Sequence, residues 1–269
     1  MPDSAAPELD VSSHEAWFAR YAALQRTGTE TIDGPLALKF SHSIHVLAHA
    51  RTVVHAERLP PQTGRTALLG ALYHDIARFP QYRRWQTFSD TLSTNHGILG
   101  SRILNALRPL EHEPRRVRLL AQGAVILHNR FTLPVGLSEE MRGVADVVRD
   151  CDRLDILRIM AGMLAPDGPN MPENAANAAM LHLPEEKGSY STAVYQAVFD
   201  GRAASYADLR TRNDFRLLLC SWCDDFHFHT SRAILRDSGL MGPILDNLPD
   251  LPEMAAIREK TLARLHGAP

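Results

Sequence analysis

The chain has 269 residues, of which 45% are hydrophobic and 22% are charged, and its formal net charge is −2. These values are typical of a globular protein and exclude a disordered chain. Because the charge is balanced, no nucleic acid polymer is expected as a partner. No apolar run approaches the roughly 18 residues of a membrane-spanning helix. There is also no secretory leader pattern, so we expect a cytoplasmic protein without a membrane partner.

Apolar residues recur at three- and four-residue intervals along almost the whole chain, and no stretch alternates like a strand. The sequence therefore predicts an all-α fold. In chain order, helices are predicted at about residues 12–27, 36–57, 64–78, 94–108, 114–129, 138–163, 191–200, 203–211, 213–237 and 252–266.

Two segments are predicted to be loops. One follows Arg78, and the other, residues 166–189, is dense in Pro, Asn and Gly and is either a plain connection or a lid over a site. No internal repeat is evident. Cys220 and Cys223 lie in an apolar helical run and are interpreted as small buried residues rather than as a redox pair.

Ionisable side chains on the face that a helix should bury are informative, because burying an unpaired charge is strongly unfavourable. In the segment KFSHSIHVLAHA, His42 lies on the apolar stripe continued by Val46 and Ala50. His45 lies on a more polar face that continues through His49. His42 is therefore the better candidate for an interior role, and His45 is the alternative.

Four more predicted helices place imidazole or carboxylate groups on a buried stripe. The residues concerned are His74 with Asp75, His96, His128 and Asp152. Ser93 or Thr94 is predicted to cap the helix that carries His96. Asp146 and Asp150 fall off the stripe and are not included. Each inward histidine, taken alone, is usually a hydrogen-bonded core residue.

Together, four imidazoles and two carboxylates in one apolar interior favour bound cations, because neutral imidazole and ionised carboxylate are both acceptors. This set exceeds the need of one ion, but two ions sharing a carboxylate would use it well. Asp75, adjacent to the ligand His74, is placed to bridge them. The predicted cofactors are two divalent or redox-active metal ions, Fe or Mn, with Mg, Ni and Zn as alternatives.

The order His, His-Asp, His, His, Asp resembles the HD-domain superfamily of metal-dependent phosphohydrolases. The similarity is carried by HSIHV at His42, HD at His74, HG at His96, HN at His128 and DCDRLD at Asp152. It covers about residues 36–160. The resemblance implies an all-α HD-domain helical bundle, with residues 165–269 forming additional C-terminal helices. We expect one HD-type domain over residues 1–269.

The resemblance also implies a role for each residue. The mononuclear core would consist of His42, His74, Asp75 and Asp152. His96 and His128 would bind a second ion, and Asp75 would bridge. The chain lacks the GYP motif of cyclic-di-GMP phosphodiesterases and the HDxxED pattern of alarmone hydrolases. It is also shorter than typical dNTP triphosphohydrolases, so none of these subgroups is assigned.

Two cations a few Å apart can polarise a phosphoryl oxygen and lower the pKa of a bridging water. The predicted reaction is hydrolysis of a phosphoester, either a nucleotide or a related phosphomonoester or phosphodiester, with a metal-bridging hydroxide as the nucleophile. The predicted catalytic residues are His74, Asp75 and Arg78. Lys39, Arg78 and Arg130 are predicted to bind the substrate phosphate, with structural salt bridges as the alternative.

Two other classes of function stay open. Some members of the superfamily with the same ligand set hold a mixed-valent di-iron centre and resemble oxygenases that cleave C–C or C–P bonds, and the ligand types alone do not separate the two reactions. The third class is a non-catalytic HD module that binds a ligand or partner. The predicted partner is a small phosphorylated substrate, and the sequence leaves the oligomeric state open.

Overall fold

A computed structural model describes residues 9–168 and 171–267 of the chain. Within these residues the regular secondary structure is α-helical or 3₁₀-helical, and no strand is formed. The predicted all-α fold is confirmed. The chain divides into two compact units, Met1–Asp155 and Ile156–Pro269.

The first unit contains the helices that carry the predicted ligands. They are α1 (Ser12–Gln25), α2 (Glu30–Ala56), α3 (Pro61–Tyr73), α4 (Arg78–Trp85), α5 (His96–Leu107), α6 (Arg115–Leu127) and most of α7 (Glu139–Leu164). Helix α3 packs against both α2 and α6, and α6 also packs against α5. Leu47, Leu69 and Leu104 are among the fully buried residues of these helices, and burial of such side chains is the main favourable term in folding.

Helix α3 approaches its neighbours closely at Gly70. A Cβ atom there would lie 3.0 Å from Cγ2 of Val148 and 3.2 Å from Cβ of Ala124. Because glycine has no Cβ, the backbone of α3 can lie this near to α6 and α7. Gly70 is one turn before His74, so this approach also sets the position of the C-terminal end of α3.

The second unit contains shorter helices. They are α8 (Glu173–Ala179), α9 (Thr192–Phe199), α10 (Arg212–Cys220), α11 (His229–Asp237), α12 (Met241–Asp246) and α13 (Pro252–His266), with 3₁₀ helices at Tyr206–Asp208 and Ser221–Asp224. A capping box formed by Thr211 and Asp214 begins α10. Helix α10 packs against α9 and α12, and α13 packs against α9 and α11.

The predicted boundary between the third helix of the first unit and the segment after it is wrong. The predicted helix over residues 64–78 ends at Tyr73, and a turn at 74–77 separates it from α4. The segment after Arg78 is therefore helical at its start, not a loop. The turn was missed because Ile76 and Ala77 are fully buried within it, so the apolar pattern continues across the break.

The second unit differs more from the prediction. The predicted loop over residues 166–189 contains α8, whose only apolar side chains are those of alanines, so no stripe of large residues marks it. The predicted helix over 213–237 is divided into α10, a 3₁₀ turn and α11. The apolar pattern does not reveal this division, because a 3₁₀ turn keeps residues i and i+3 on the same face. Only a 3₁₀ turn forms within 203–211, and α12 was not predicted.

Cys151, Cys220 and Cys223 are free and buried, as the sequence predicted for the last two. Burial raises the pKa of Cys223 to about 12, so the thiol is protonated and unreactive at neutral pH. Among the described residues, no helix combines the length and the apolar character needed to cross a bilayer.

Candidate metal centre

Helix ends position three of the four predicted histidine ligands. His74 and His128 directly follow the last residues of α3 and α6, and His96 is the first residue of α5. Nδ1 of His74 donates to the carbonyl oxygen of Ala71, and Nδ1 of His128 donates to that of Val125, both at 2.7 Å. Because the last carbonyls of a helix lack backbone partners, each helix end orients the ring that follows it.

His42 and His74, which are buried, and Asp152, which is partly buried, form a group whose ligand atoms all lie within 4.8 Å of one another. Nε2 of His42 is 3.2 Å from Nε2 of His74 and 3.0 Å from Oδ1 of Asp152. Oδ2 of Asp75 lies 3.6 Å from both Nε2 atoms. We call these three residues, together with Oδ2 of Asp75, the first half of the cluster.

The other oxygen of Asp75 faces a second pair of imidazoles. Nε2 of His96 and Nε2 of His128 are 2.9 Å apart. Oδ1 of Asp75 lies 3.4 Å from the former and 3.8 Å from the latter. His74, Asp75 and His128 also satisfy the 4.8 Å grouping. We call His96, His128 and Oδ1 of Asp75 the second half of the cluster; Asp75 thus contributes one oxygen to each half.

The acceptors on Nδ1 decide which nitrogen of each imidazole carries the proton. At the two helix ends the acceptor is a backbone carbonyl; elsewhere it is a carboxylate, Asp155 for His42 and Asp90 for His96, each at 2.7 Å. A neutral imidazole with its proton on Nδ1 has a lone pair on Nε2. Two pairs of Nε2 lone pairs therefore face each other, and a cation bound at each pair would relieve their repulsion.

A proton can serve as that cation in the first half but not in the second. Burial lowers the pKa of His42, but hydrogen bonds to two carboxylates outweigh it and raise the pKa above its ordinary value. Burial and the neighbouring imidazoles lower the pKa of His128 to about 3, and burial also lowers the pKa of His96. At neutral pH the second pair is therefore uncharged, with its lone pairs opposed.

The spacing of the ligand atoms suits metal coordination. Imidazole and carboxylate ligands bind transition metals at about 2.0–2.2 Å, so two ligands of one ion are about 3.0–3.6 Å apart. In the first half, these distances between ligand atoms run from 3.0 to 3.6 Å, as coordination requires. In the second half they run from 2.9 to 3.8 Å, close to the same range. These buried His/Asp groups can therefore hold a metal ion.

Two cations contact the shared carboxylate. Nζ of Lys39 donates to Oδ2 of Asp75 at 2.7 Å, and Nε of Arg78 donates to Oδ1 at 3.2 Å. Burial by itself would raise the pKa of Asp75, but Lys39, then His74 and Arg78, hold it well below its usual range. Arg130, the third predicted phosphate-binding residue, is exposed. Its side chain has no contact with the cluster in the described part of the chain.

His45 lies outside the cluster. Its Nδ1 is 2.7 Å from the carbonyl oxygen of Ser41 on the same helix, and the ring is half-buried. The structure therefore brings His42, and not His45, together with the other predicted ligands.

Two smaller predictions about helices in the first unit are wrong. Asp146 and Asp150 are buried, because α7 is covered on more than the one face that its apolar stripe marks. The cap of α5 is Asn95, whose side chain accepts a backbone hydrogen bond at 2.9 Å, rather than Ser93 or Thr94.

Sequence reasoning missed the two carboxylates that bond to ligand imidazoles. Asp155 follows Asp152 by three residues, so helical spacing places both on one face, and that signal could have identified it. Asp90 lies in the loop between α4 and α5. A loop residue belongs to no buried helical stripe, so the apolar periodicity does not indicate it.

The two imidazole pairs occupy matching positions on two helix pairs. His42 precedes His74 by 32 residues, and His96 precedes His128 by 32 residues. In each case the first histidine is on a helix and the second follows the end of the next helix, which begins after a proline N-cap. The residues that follow the second histidines also correspond, Asp75 after His74 and Asn129 after His128. This correspondence was not evident from the sequence.

We compared the chain with protein-family models, with curated proteins and with solved structures, and none of the three searches gave a match. The fold and the cluster geometry are therefore the grounds for assigning a function.

Proposed function

We propose that the chain is a metal-dependent phosphohydrolase of the HD-domain type, which holds two metal ions at the cluster and hydrolyses a phosphoester. The convergence of the six residues that the resemblance assigns as ligands supports this proposal. They come from α2, α5, α7 and the ends of α3 and α6. Because they are spread from His42 to Asp152, their meeting is a property of the fold and not of a local segment.

The observation that favours a phosphorylated substrate is the pair of cations on Asp75. The side chains of Lys39 and Arg78 are 15% and 12% exposed, so their charges are only weakly screened by water. Four carboxylates contact these cations or the ligand imidazoles: Asp75, Asp90, Asp152 and Asp155. With neutral imidazoles these groups sum to about −2, and two divalent ions would change the sum to about +2. An anionic phosphoester is the substrate that such a site would attract.

Each part of the chain has a distinct task in this reaction. When bound, the metal ions would polarise the phosphoryl group and activate water. The four imidazoles, oriented through Nδ1, supply neutral Nε2 ligands, and Asp75 supplies one oxygen to each half. Arg78 and Lys39 would neutralise charge on the phosphoryl oxygens, since guanidinium and ammonium groups form strong charge-assisted hydrogen bonds with them.

The test is a phosphoester panel assayed with Mn²⁺-loaded and anaerobically Fe²⁺-loaded protein, with release of phosphate or nucleotide as the measurement. We expect metal-dependent release from at least one phosphomonoester or phosphodiester. His74→Ala and Asp75→Ala should abolish it. His45→Ala is the matched control, because His45 is a histidine of the same unit outside the cluster, and it should retain activity.

Absence of release from every member of the panel would contradict the proposal. Oxygen uptake should be recorded in the same experiment, with a phosphonate and a polyol as additional compounds. Metal-dependent oxygen consumption without hydrolysis would favour the oxygenase class instead.

A further inference from the structure

Asp90 connects a predicted metal ligand with a predicted phosphate contact. Both oxygens of its carboxylate lie close to Nδ1 of His96, Oδ1 at 2.8 Å and Oδ2 at 2.7 Å. Nη1 of Arg78 donates to Oδ1 at 3.1 Å. Arg78 in turn donates from Nε to Oδ1 of Asp75. One carboxylate thus bonds directly to the ring and to the guanidinium that approach the second half of the cluster.

The carboxylate of Asp90 is itself held from two sides. Gln81, fully buried on α4, donates from Nε2 to Oδ1 of Asp90 at 3.0 Å and to the carbonyl of Thr94 at 3.1 Å. Asn129, just beyond α6, donates from Nδ2 to Oδ2 of Asp90 at 3.0 Å. The loop that carries Asp90 is therefore fixed against both α4 and the end of α6.

Four side chains donate hydrogen bonds to the carboxylate of Asp90, those of His96, Arg78, Gln81 and Asn129. A carboxylate that accepts hydrogen bonds through both oxygens is favoured in its ionised form. A carboxylate on Nδ1–H fixes the ring orientation and increases the basicity of Nε2. The second half has fewer carboxylate ligands than the first, so its affinity for a metal ion depends more strongly on the orientation and basicity of its imidazoles.

We propose that Asp90 is a positioning residue that sets the affinity of the second half for its metal ion and, through Arg78, the affinity of the site for a phosphate oxyanion. The inference rests on the proposed function, because it takes the cluster to be a metal site. It adds to that function one residue through which the second ion and the bound anion are coupled.

The experiment compares the wild-type protein with Asp90→Asn. Metal-free protein is titrated with Mn²⁺, with and without inorganic phosphate, and the bound metal is followed by elemental analysis and by the electron paramagnetic resonance spectrum of coupled Mn²⁺ pairs. In Asp90→Asn we expect the affinity for the second ion to fall by about 10–100-fold while the affinity for the first is retained. Phosphate should tighten binding of the second ion in the wild type and much less in the variant.

Asp33→Asn is the matched control. Asp33 is a buried carboxylate of the first unit and accepts backbone hydrogen bonds from Thr27 and Gly28 at 2.8 and 2.9 Å. It has no contact with the cluster among the described residues, so this substitution removes a comparable charge without touching His96. Both metal affinities should be unchanged in the control. Asp90→Glu keeps the charge and should retain more affinity for the second ion than Asp90→Asn.

The outcomes separate the two proposals. If wild-type protein binds two ions and Asp90→Asn binds both as tightly, the role of Asp90 is refuted and the metal site stands. If Asp90→Asn loses both ions equally, its role is structural and the inference is also overturned. If the wild type itself binds fewer than two ions, the proposed dinuclear site fails. Unfolding of the metal-free variants, followed by circular dichroism, establishes that each is folded.

Discussion

Two histidines of α2, His42 and His45, make different hydrogen bonds. Nδ1 of His42 is bonded to Asp155, and its Nε2 faces the cluster. Nδ1 of His45 is instead paired with the carbonyl of Ser41 on its own helix. Substitution by alanine changes helix propensity equally at the two positions, so any difference between the variants reports on the cluster.

His42→Ala should lower the affinity of the first half for its metal ion by at least about tenfold. It also leaves Asp155, which is fully buried, without this donor, and such a loss destabilises a protein by about 1–3 kcal/mol. His45→Ala should keep its metal and most of its stability. Metal content after equilibration with Mn²⁺ and urea denaturation of both variants measure these effects; equal metal contents would contradict the assignment of His42.

Gly97, next to His96, is a second residue on which the cluster depends. A Cβ at Gly97 would lie 2.8 Å from the carbonyl oxygen of Val125 and 2.9 Å from Oδ1 of Asn129. The backbone of α6 cannot move aside as a flexible side chain can, so the start of α5 would be displaced.

Gly97→Ala should therefore destabilise the protein by about 1–3 kcal/mol and weaken the second half of the cluster for metal. Gly143→Ala is the control, because a Cβ there has nothing within 4 Å. Alanine in an open helical position should instead stabilise by up to about 1 kcal/mol. Thermal unfolding and Mn²⁺ titration measure both variants. A Gly97→Ala protein as stable as Gly143→Ala would show that α5 tolerates the displacement.

At the scale of helices, a buried carboxylate joins three parts of the first unit. Oε1 of Glu113, in the turn before α6, is 3.0 Å from Nε2 of His14 on α1. Nε of Arg65 on α3 donates to Oε2 at 2.9 Å. Tyr73, which precedes His74, is hydrogen-bonded through its hydroxyl to Nδ1 of the same His14 at 3.1 Å.

Arg65 lowers the pKa of Glu113 in the folded state, although burial acts to raise it. A depressed carboxyl pKa stabilises the fold above the unfolded pKa, about 4.3, and the contribution is lost as pH falls through the folded pKa. Glu113→Gln should therefore be less stable than the wild type at neutral pH, by about 1–3 kcal/mol. The difference should shrink below about pH 4.

Urea denaturation of the metal-free proteins between about pH 3 and 7 measures this dependence. Glu111→Gln changes an exposed carboxyl of the same turn and should unfold like the wild type at every pH. A constant difference between the wild type and Glu113→Gln across the range would show that ionisation of Glu113 does not contribute.

How much could be predicted also depends on the helices. The periodicity of apolar residues was enough for the all-α fold, and inward polar residues on that pattern identified all six members of the cluster, including His42 in mid-helix. The predicted helices extend past the actual ends of α3 and α6, before His74 and His128, because the pattern of buried residues continues beyond those ends. Asp90 could not be found, since its position depends on hydrogen bonds from Gln81 and Asn129, which a loop sequence does not reveal.

The matching helix pairs explain why the histidines of both halves are oriented by the same kinds of hydrogen bond. In each pair, the histidine that follows the helix end uses a backbone carbonyl, and its partner uses a carboxylate. The carboxylates themselves do not correspond, because Asp155 comes from α7 and Asp90 from the loop before α5. The halves can therefore be altered separately, although Asp75 serves both.

At the scale of the whole molecule, all six cluster residues lie in the unit Met1–Asp155, and none lies in Ile156–Pro269. A ligand that binds only the folded state stabilises it by mass action, by about 2.7 kcal/mol when its concentration is one hundred times its dissociation constant. Metal binding to the cluster should act first on the helices that supply its ligands.

Mn²⁺ at saturating concentration should slow amide hydrogen exchange in peptides from α2, α3, α5 and α6. Peptides from α9 to α13 should exchange as in the metal-free protein, because the second unit has its own buried residues, such as Leu218 and Ile257, and none of the cluster. Exchange followed by mass spectrometry measures both sets in one experiment. His74→Ala should remove the effect of the metal. Equal protection of both units, or protection that persists in His74→Ala, would place the metal elsewhere than at this cluster.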